Sequence, residues 1–194
     1  MNLANWLTVL RIVLIPVFIA ILLQRRMDWA LVAFVSAALT DLLDGFVARR
    51  TRITTLGRFL DPTADKLMLV SAFVILPFID GIPAWVSVVV VSRDVIISLG
   101  TLIIYLTWGS TKITVRPLGK LTTLAQSVGV GFVILARIVS VLHPAVNLVC
   151  YGVAALTAAS GIDYILVGIR QANALSAMSA KGPEPPQMPP LQPG

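Results

Sequence analysis

The chain has 194 residues, a formal net charge of +6, 57% hydrophobic residues and only 12% charged ones. Soluble domains hold about 45–50% apolar and about 25% charged residues, so composition excludes an ordinary soluble globular protein. The Lys and Arg residues fall between apolar runs, which points to membrane topology and anionic head groups and away from nucleic acid.

Six apolar runs each approach the ~20 residues needed to cross ~30 Å of hydrocarbon as a helix. They are Leu7–Leu23, Trp29–Arg49, Gly57–Phe78, Pro83–Trp108, Leu118–Val141 and Ala145–Val167. The expected fold is therefore all-α: a polytopic membrane protein with six transmembrane helices, preceded by a short N-terminal interfacial segment at Met1–Trp6. Gln24, Arg25 and Arg26 close the first run with no small-residue cleavage site, so it reads as a retained span and not a signal peptide. Residues 1–180 form one membrane domain. From Lys181 the sequence KGPEPPQMPPLQPG is too rich in proline for a helix and reads as a disordered tail. Cys150 is the single cysteine, which excludes a disulfide within the chain.

Orientation follows from the loops. Arg49, Arg50, Arg52 and Arg58 follow the second span, and Lys112, Arg116 and Lys120 follow the fourth. The positive-inside rule puts these loops and both termini in the cytoplasm. Arg25 and Arg26, beside Asp28, then face outward against the rule; seven basic residues outweigh two. The compact chain and the lack of a targeting segment point to a bacterial inner membrane.

Eight of the nine acidic residues are Asp, and Asp41, Asp44, Asp61 and Asp65 fall within the stretch TDLLDGFVARRTRITTLGRFLDPTADK. Spacings of three and four put each pair on one helix face. A hairpin of spans two and three brings the pairs together at one depth on the cytoplasmic side. Four carboxylates there repel one another and pay a desolvation cost, so they call for cations. Arg49, Arg58 and Lys66 neutralise part of the charge. An all-oxygen set without His or Cys suits a hard ion, Mg²⁺ or Mn²⁺, and two such ions fit phosphoryl-transfer chemistry. Gly45, Ala48 and Gly57 on the same faces leave room for a bulky substrate, and Arg49 offers a planar donor fork to a phosphate. The plainer reading, capping acids and packing glycines, requires four acids and these small residues to coincide by accident.

The pattern Asp41-x2-Asp44-Gly45-x2-Ala48-Arg49, then Gly57-x3-Asp61-x3-Asp65, resembles the signature of the CDP-alcohol phosphatidyltransferases. The resemblance extends to Asn5-x-Leu7-Thr8-x2-Arg11 with Pro16, to Ser92-Arg93-Asp94, and to Gly119-Lys120-x-Thr122-Thr123-x2-Gln126. It departs where seven residues, not the usual eight, separate Arg49 from Gly57, and where Ala4 stands in place of a common proline. The resemblance implies transfer of a phosphatidyl group from CDP-diacylglycerol to an alcohol, with release of CMP. It implies that Asp41, Asp44 and Asp61 bind metal, that Asp65 completes the metal site and acts as general base, and that Gly45, Ala48, Arg49 and Gly57 line the donor pocket. It also implies a homodimer in contact with membrane lipids.

Arg93, Arg116 and Lys120 are the candidates for binding the acceptor, since a guanidinium fork with a Lys point charge suits a phosphate. Gly119-Lys120-x-Thr122-Thr123 resembles phosphatidylglycerophosphate synthases, so the resemblance implies glycerol 3-phosphate as the preferred acceptor, giving phosphatidylglycerophosphate. The Ser-Arg-Asp segment resembles cardiolipin synthases, whose acceptor is phosphatidylglycerol. A membrane prenyltransferase and a cation transporter are the competing classes. The first uses two separated Asp-rich segments in a larger bundle, and the second spreads its acids through the membrane depth or breaks its helices near the midplane. Among the remaining residues, Asp28, Asp80 and Asp94 read as solvated or capping acids, and His143 as an interfacial loop residue. Trp6, Trp29, Trp85 and Trp108 read as aromatic belts. Arg137 and Asp163 are a candidate pair between spans five and six.

Overall fold

The structure is a computed structural model that describes residues 3–48, 66–108 and 117–180, with side-chain surroundings over 13–40, 66–100 and 118–170 and at 102, 103 and 106. Among the described residues every regular element is helical. Helix α1 is Leu3–Leu23, α2 is Met27–Ala48, and α3 covers 66–75 and runs into a 3-10 turn at Leu76–Ile79. Helix α4 is Ala84–Trp108, α5 is Pro117–Ile138, and α6 is His143–Ala180, entered through a 3-10 turn at Ser140–Leu142. The sequence places a separate interfacial segment before the first span, but Leu3–Trp6 continue α1 without a break. Helix α6 is also longer than expected: its 38 residues rise ~57 Å, well beyond a ~30 Å hydrocarbon layer.

Leu118–Ile138 and Ser140–Arg170 are long and apolar enough to cross a membrane, and Val13–Leu23, Met27–Thr40 and Lys66–Ile79 are shorter apolar stretches. The outward faces support a lipid surrounding. Val88, Val95, Leu99, Leu102 and Leu106 recur at helical spacing along α4 and are exposed, as are Leu121, Leu124 and Val128 on α5. Continuous apolar faces of this kind are rare on water-soluble monomers.

The helices run up and down. Short turns join α1 to α2, α3 to α4 and α5 to α6, and three contacts place these turns at one end of the bundle. Arg25 in the first turn approaches Asp80 in the second at 3.7 Å. Arg137 at the end of α5 donates to the Ile79 carbonyl. Trp85 at the start of α4 stacks on Tyr151 near the start of α6, with ring centroids 5.5 Å apart. Both Arg25 and Asp80 have positive φ, 58° and 57°, which closes each turn with a left-handed residue that is not glycine.

Helix α4 packs beside α6 in parallel, α5 packs on α6 and α2, and α1 packs on α2. The core next to the turns is apolar: Phe18 and Leu22 of α1, Phe34 of α2, Leu76, Val86 and Val90, Val130 and Ile134 of α5, and Val153 of α6 are all buried. The rings of Phe18 and Phe34 lie 5.9 Å apart at 37°. Gly129 permits a close approach of α5 to α6, since a Cβ there would lie 2.9 Å from Val153 Cγ2.

Candidate active site

Away from the turns the interior changes chemistry. The inward stripe of α6 continues from Val153 and Ala154 to Thr157, Ser160 and Tyr164, and that of α5 runs back from Val130 to Gln126 and Thr122. On α4 the stripe passes from Val86 and Val90 to Arg93 and Asp94. The spacings of three and four keep each set on one helix face. The result is a buried polar layer shared by three helices. Gln126 Nε2 donates to Thr157 Oγ1 at 3.1 Å, and Thr122 Oγ1 donates to the Leu118 carbonyl at 2.8 Å.

Arg93 is the centre of this layer and is 7% exposed. Its Nη1 donates to Asp94 Oδ1 at 2.6 Å and its Nη2 to Ser160 Oγ at 2.8 Å. The guanidinium carbon lies 5.9 Å from the centroid of the Tyr164 ring, within cation–π range. Burying a charge is tolerable where it is paired and hydrogen-bonded, and Asp94, also buried, supplies the counter-charge. Two glycines make the room: a Cβ on Gly161 would lie 3.3 Å from Arg93 Cγ, and one on Gly119 would lie 3.4 Å from the Tyr164 ring and 3.8 Å from Arg93 Nη2.

Helical register places the other expected site residues relative to this layer. Phe34 of α2 meets the position of Gly131 on the antiparallel α5, where a Cβ would lie 3.6 Å from the ring. Counting ~1.5 Å per residue from there, the turn of α2 that carries Asp41 and Asp44 is level with about 121–124 of α5, hence with Thr122 and within a turn of Gly119. Ser87 donates to the Phe73 carbonyl between the antiparallel α3 and α4, so Lys66, where the description of α3 begins, is level with Arg93 and Asp94. Gly45 and Ala48 follow on the last turns of α2. Asp61, Asp65, Arg49, Gly57 and Arg116 lie outside the described residues. Lys120 is exposed on the first turns of α5, one residue past Gly119. Among the described side chains no three His, Cys, Asp or Glu residues converge; those of Asp41 and Asp44 are not among them.

Two readings from sequence change. Asp94, expected to be a solvated or capping acid, is buried against Arg93. Arg137 does not pair with Asp163: the Gln126–Thr157 bond sets Asp163 level with Lys120, roughly 25 Å along the axis from Arg137. Ser160, Thr157 and Tyr164 went unnoticed, although their spacing from Val153 traces a polar stripe through an otherwise apolar helix.

Most of this arrangement, all but Gly161 and Tyr164, falls within a recognised pattern, because residues 1–160 match the profile of the CDP-alcohol phosphatidyltransferase family. The chain belongs to the CDP-alcohol phosphatidyltransferase family. Several CDP-alcohol phosphatidyltransferases align along most of it. A Mycobacterium tuberculosis protein named "Probable phosphatidylglycerophosphate synthase" is 34% identical over 87% of this chain and 82% of its own length. The Bacillus subtilis "CDP-diacylglycerol--glycerol-3-phosphate 3-phosphatidyltransferase" is 32% identical over 84% of this chain and 93% of its own. The Drosophila melanogaster "Probable cardiolipin synthase (CMP-forming)" is 32% identical over 86% of this chain and 57% of its own. The chain is thus a transferase of phospholipid biosynthesis from a family of divalent-metal-dependent membrane enzymes.

Proposed function

We propose that this enzyme transfers the phosphatidyl group of CDP-diacylglycerol to a hydroxyl of glycerol 3-phosphate, giving phosphatidylglycerophosphate and CMP. The observation that carries the reading is the near-full-length similarity to the Bacillus subtilis glycerol-3-phosphate phosphatidyltransferase. In the reaction the acceptor oxygen bonds to the phosphatidyl phosphorus while the bond from that phosphorus to the CMP oxygen breaks. The acceptor proton passes to the Asp65 carboxylate, a general base one residue before Lys66 in sequence.

Asp41, Asp44, Asp61 and Asp65 are the residues that would hold Mg²⁺ or Mn²⁺, an all-carboxylate set suited to hard ions, with two ions as the fitting number. Such ions supply charge stabilisation for phosphoryl oxygens. The chain's own contributions are positional. Gly45, Ala48 and Gly57 keep the aspartate faces open to the nucleotide, and Arg49 binds its pyrophosphate. Arg93, Arg116 and Lys120 bind the phosphate of the acceptor; the burial of Arg93 at the level of the Asp41–Asp44 turn supports this.

The same proposal sets residues 1–180 as one membrane domain of six crossings, with 181–194 as a tail. Both termini and the aspartates face the cytoplasm, in a bacterial inner membrane, and two copies pair as a homodimer. The support is the basic character of the 49–58 and 112–120 segments, whose seven Lys and Arg residues outnumber Arg25 and Arg26 at the other end. Cardiolipin synthesis from phosphatidylglycerol is the second reading, favoured by the similarity to the Drosophila protein.

Purified enzyme should release CMP from CDP-diacylglycerol when Mg²⁺ or Mn²⁺ and the right acceptor are supplied, and chelation should stop it. Glycerol 3-phosphate, phosphatidylglycerol, serine and inositol phosphate assayed in parallel identify the acceptor; turnover of phosphatidylglycerol alone overturns the preferred assignment. Asp61→Asn should lower turnover at least ~1,000-fold, the scale of losing charge stabilisation in a transition state. Asp65→Asn should retain nucleotide binding while abolishing chemistry.

A further inference from the structure

We infer that Asp94 and Ser160 are positioning residues: together they fix the Arg93 guanidinium so that its Nε–H edge meets the phosphate group of the acceptor. The inference rests on the acceptor reading above and adds two residues that do not themselves touch substrate. Four described neighbours hold Arg93. Its stem lies against Gly161, its head sits beside the Tyr164 ring, and its two terminal nitrogens are bonded to Asp94 and Ser160. What is left is Nε, the one buried side-chain nitrogen or oxygen without a hydrogen-bond partner among the described residues.

An unpartnered donor on a buried charged group is costly, and native interiors leave few of them. A substrate oxygen relieves that cost at the moment of binding. The surroundings select an anion for the task. Helix α5 begins at Pro117, close to the guanidinium through Gly119, so its first N–H groups add partial positive charge. Lys120 adds a full one on the next residue. Asp94 cancels much of the net charge of Arg93, so recognition here depends on the aim of one N–H and not on bulk attraction. A guanidinium free to rotate would lose that aim, which is the reason two separate helices hold it. The phosphate is a monoester in glycerol 3-phosphate and a diester in phosphatidylglycerol, and the contact is open to either.

The test is steady-state kinetics of purified enzyme in detergent micelles, with CDP-diacylglycerol as donor and glycerol 3-phosphate and phosphatidylglycerol as alternative acceptors. If the wild type turns over neither, the reaction assignment falls and this inference with it. With an active acceptor in hand, Ser160→Ala should raise the acceptor KM about tenfold and leave the donor KM and the melting temperature near wild type. Asp94→Asn keeps an acceptor for Nη1 and removes the charge, so the acceptor KM should hold steady or fall; Asp94→Ala should raise it. In an Arg93→Lys background Ser160→Ala should add no further effect, because Ser160 acts through the guanidinium. Two results overturn the inference: an unchanged acceptor KM in folded Ser160→Ala, or a parallel rise in both KM values together with a lower melting temperature.

Discussion

The α4–α5–α6 interface has two halves that follow different rules. Beside the turns it is built from Val86, Val90, Val130, Val133, Val153 and Ala154; about one to two helical turns away the same faces carry Arg93, Asp94, Thr122, Gln126, Thr157 and Ser160. In a bilayer, apolar side chains gain little by exchanging lipid for protein, so the first half holds by shape and close approach. Polar and charged groups have no water to return to, so the second half must satisfy its hydrogen bonds internally. A membrane helix bundle has no need of a buried arginine for cohesion. The contrast therefore separates scaffold from site within one continuous packing surface.

Substitutions in the two halves should separate stability from kinetics. The largest stability effect should come from Phe34→Ala in the apolar half. The ring is 6% exposed and packs against Phe18 and the Gly131 backbone, and losing a buried Phe costs about 3–5 kcal/mol in water-soluble cores. Thermal unfolding in detergent should register the loss, with kcat and both KM values of the folded fraction unchanged. Gly129→Ala should be milder, about 1–3 kcal/mol, because its Cβ meets a β-branched neighbour at 2.9 Å and one helix must shift. A change in acceptor KM at constant stability in either variant would dissolve the division between the halves.

How much of this was legible in sequence follows from the same contrast. Hydropathy alone located the helices to within a few residues at most ends, since apolar runs punctuated by Arg25–Arg26, Asp80–Pro83 and Val139–Pro144 leave little choice. The start of α1 was missed because Asn5 and Trp6 read as interfacial, and the end of α6 because residues 168–180 lose hydropathy without losing helical propensity. The aspartate motif named the family because the spacing within each carboxylate pair is a property of one helix. Arg93 stood out as a charge within an apolar run. Its partners did not: the bond to Ser160 spans 67 positions, and only the packing of α4 on α6 reveals it. The pairing with Asp94 was hidden for another reason, since adjacent helical residues diverge by ~100° and are not expected to meet. Arg is long enough to fold back.

The smallest stability effect should come from the double substitution Gln126→Leu with Thr157→Val. Both residues are at most 1% exposed and their bond, 3.1 Å, joins α5 to α6 across the polar half. Interhelical hydrogen bonds in membranes contribute about 0.6 kcal/mol on average, because the separated helices also find partners. Replacing both members by apolar groups removes the bond without orphaning either side, so the double variant should unfold within about 1 kcal/mol of wild type. Thr157→Val alone should be the less stable protein, since it strands the Gln126 amide. Turnover, expected to hold in Phe34→Ala, should fall here: a reduction of about tenfold in kcat/KM for the acceptor at nearly constant stability, as α5 and α6 lose the register that sets Gly119 and Ser160 about Arg93. A double variant with full turnover and the stability loss of a core deletion would make the polar half a scaffold like its neighbour, and Arg93 would need another explanation.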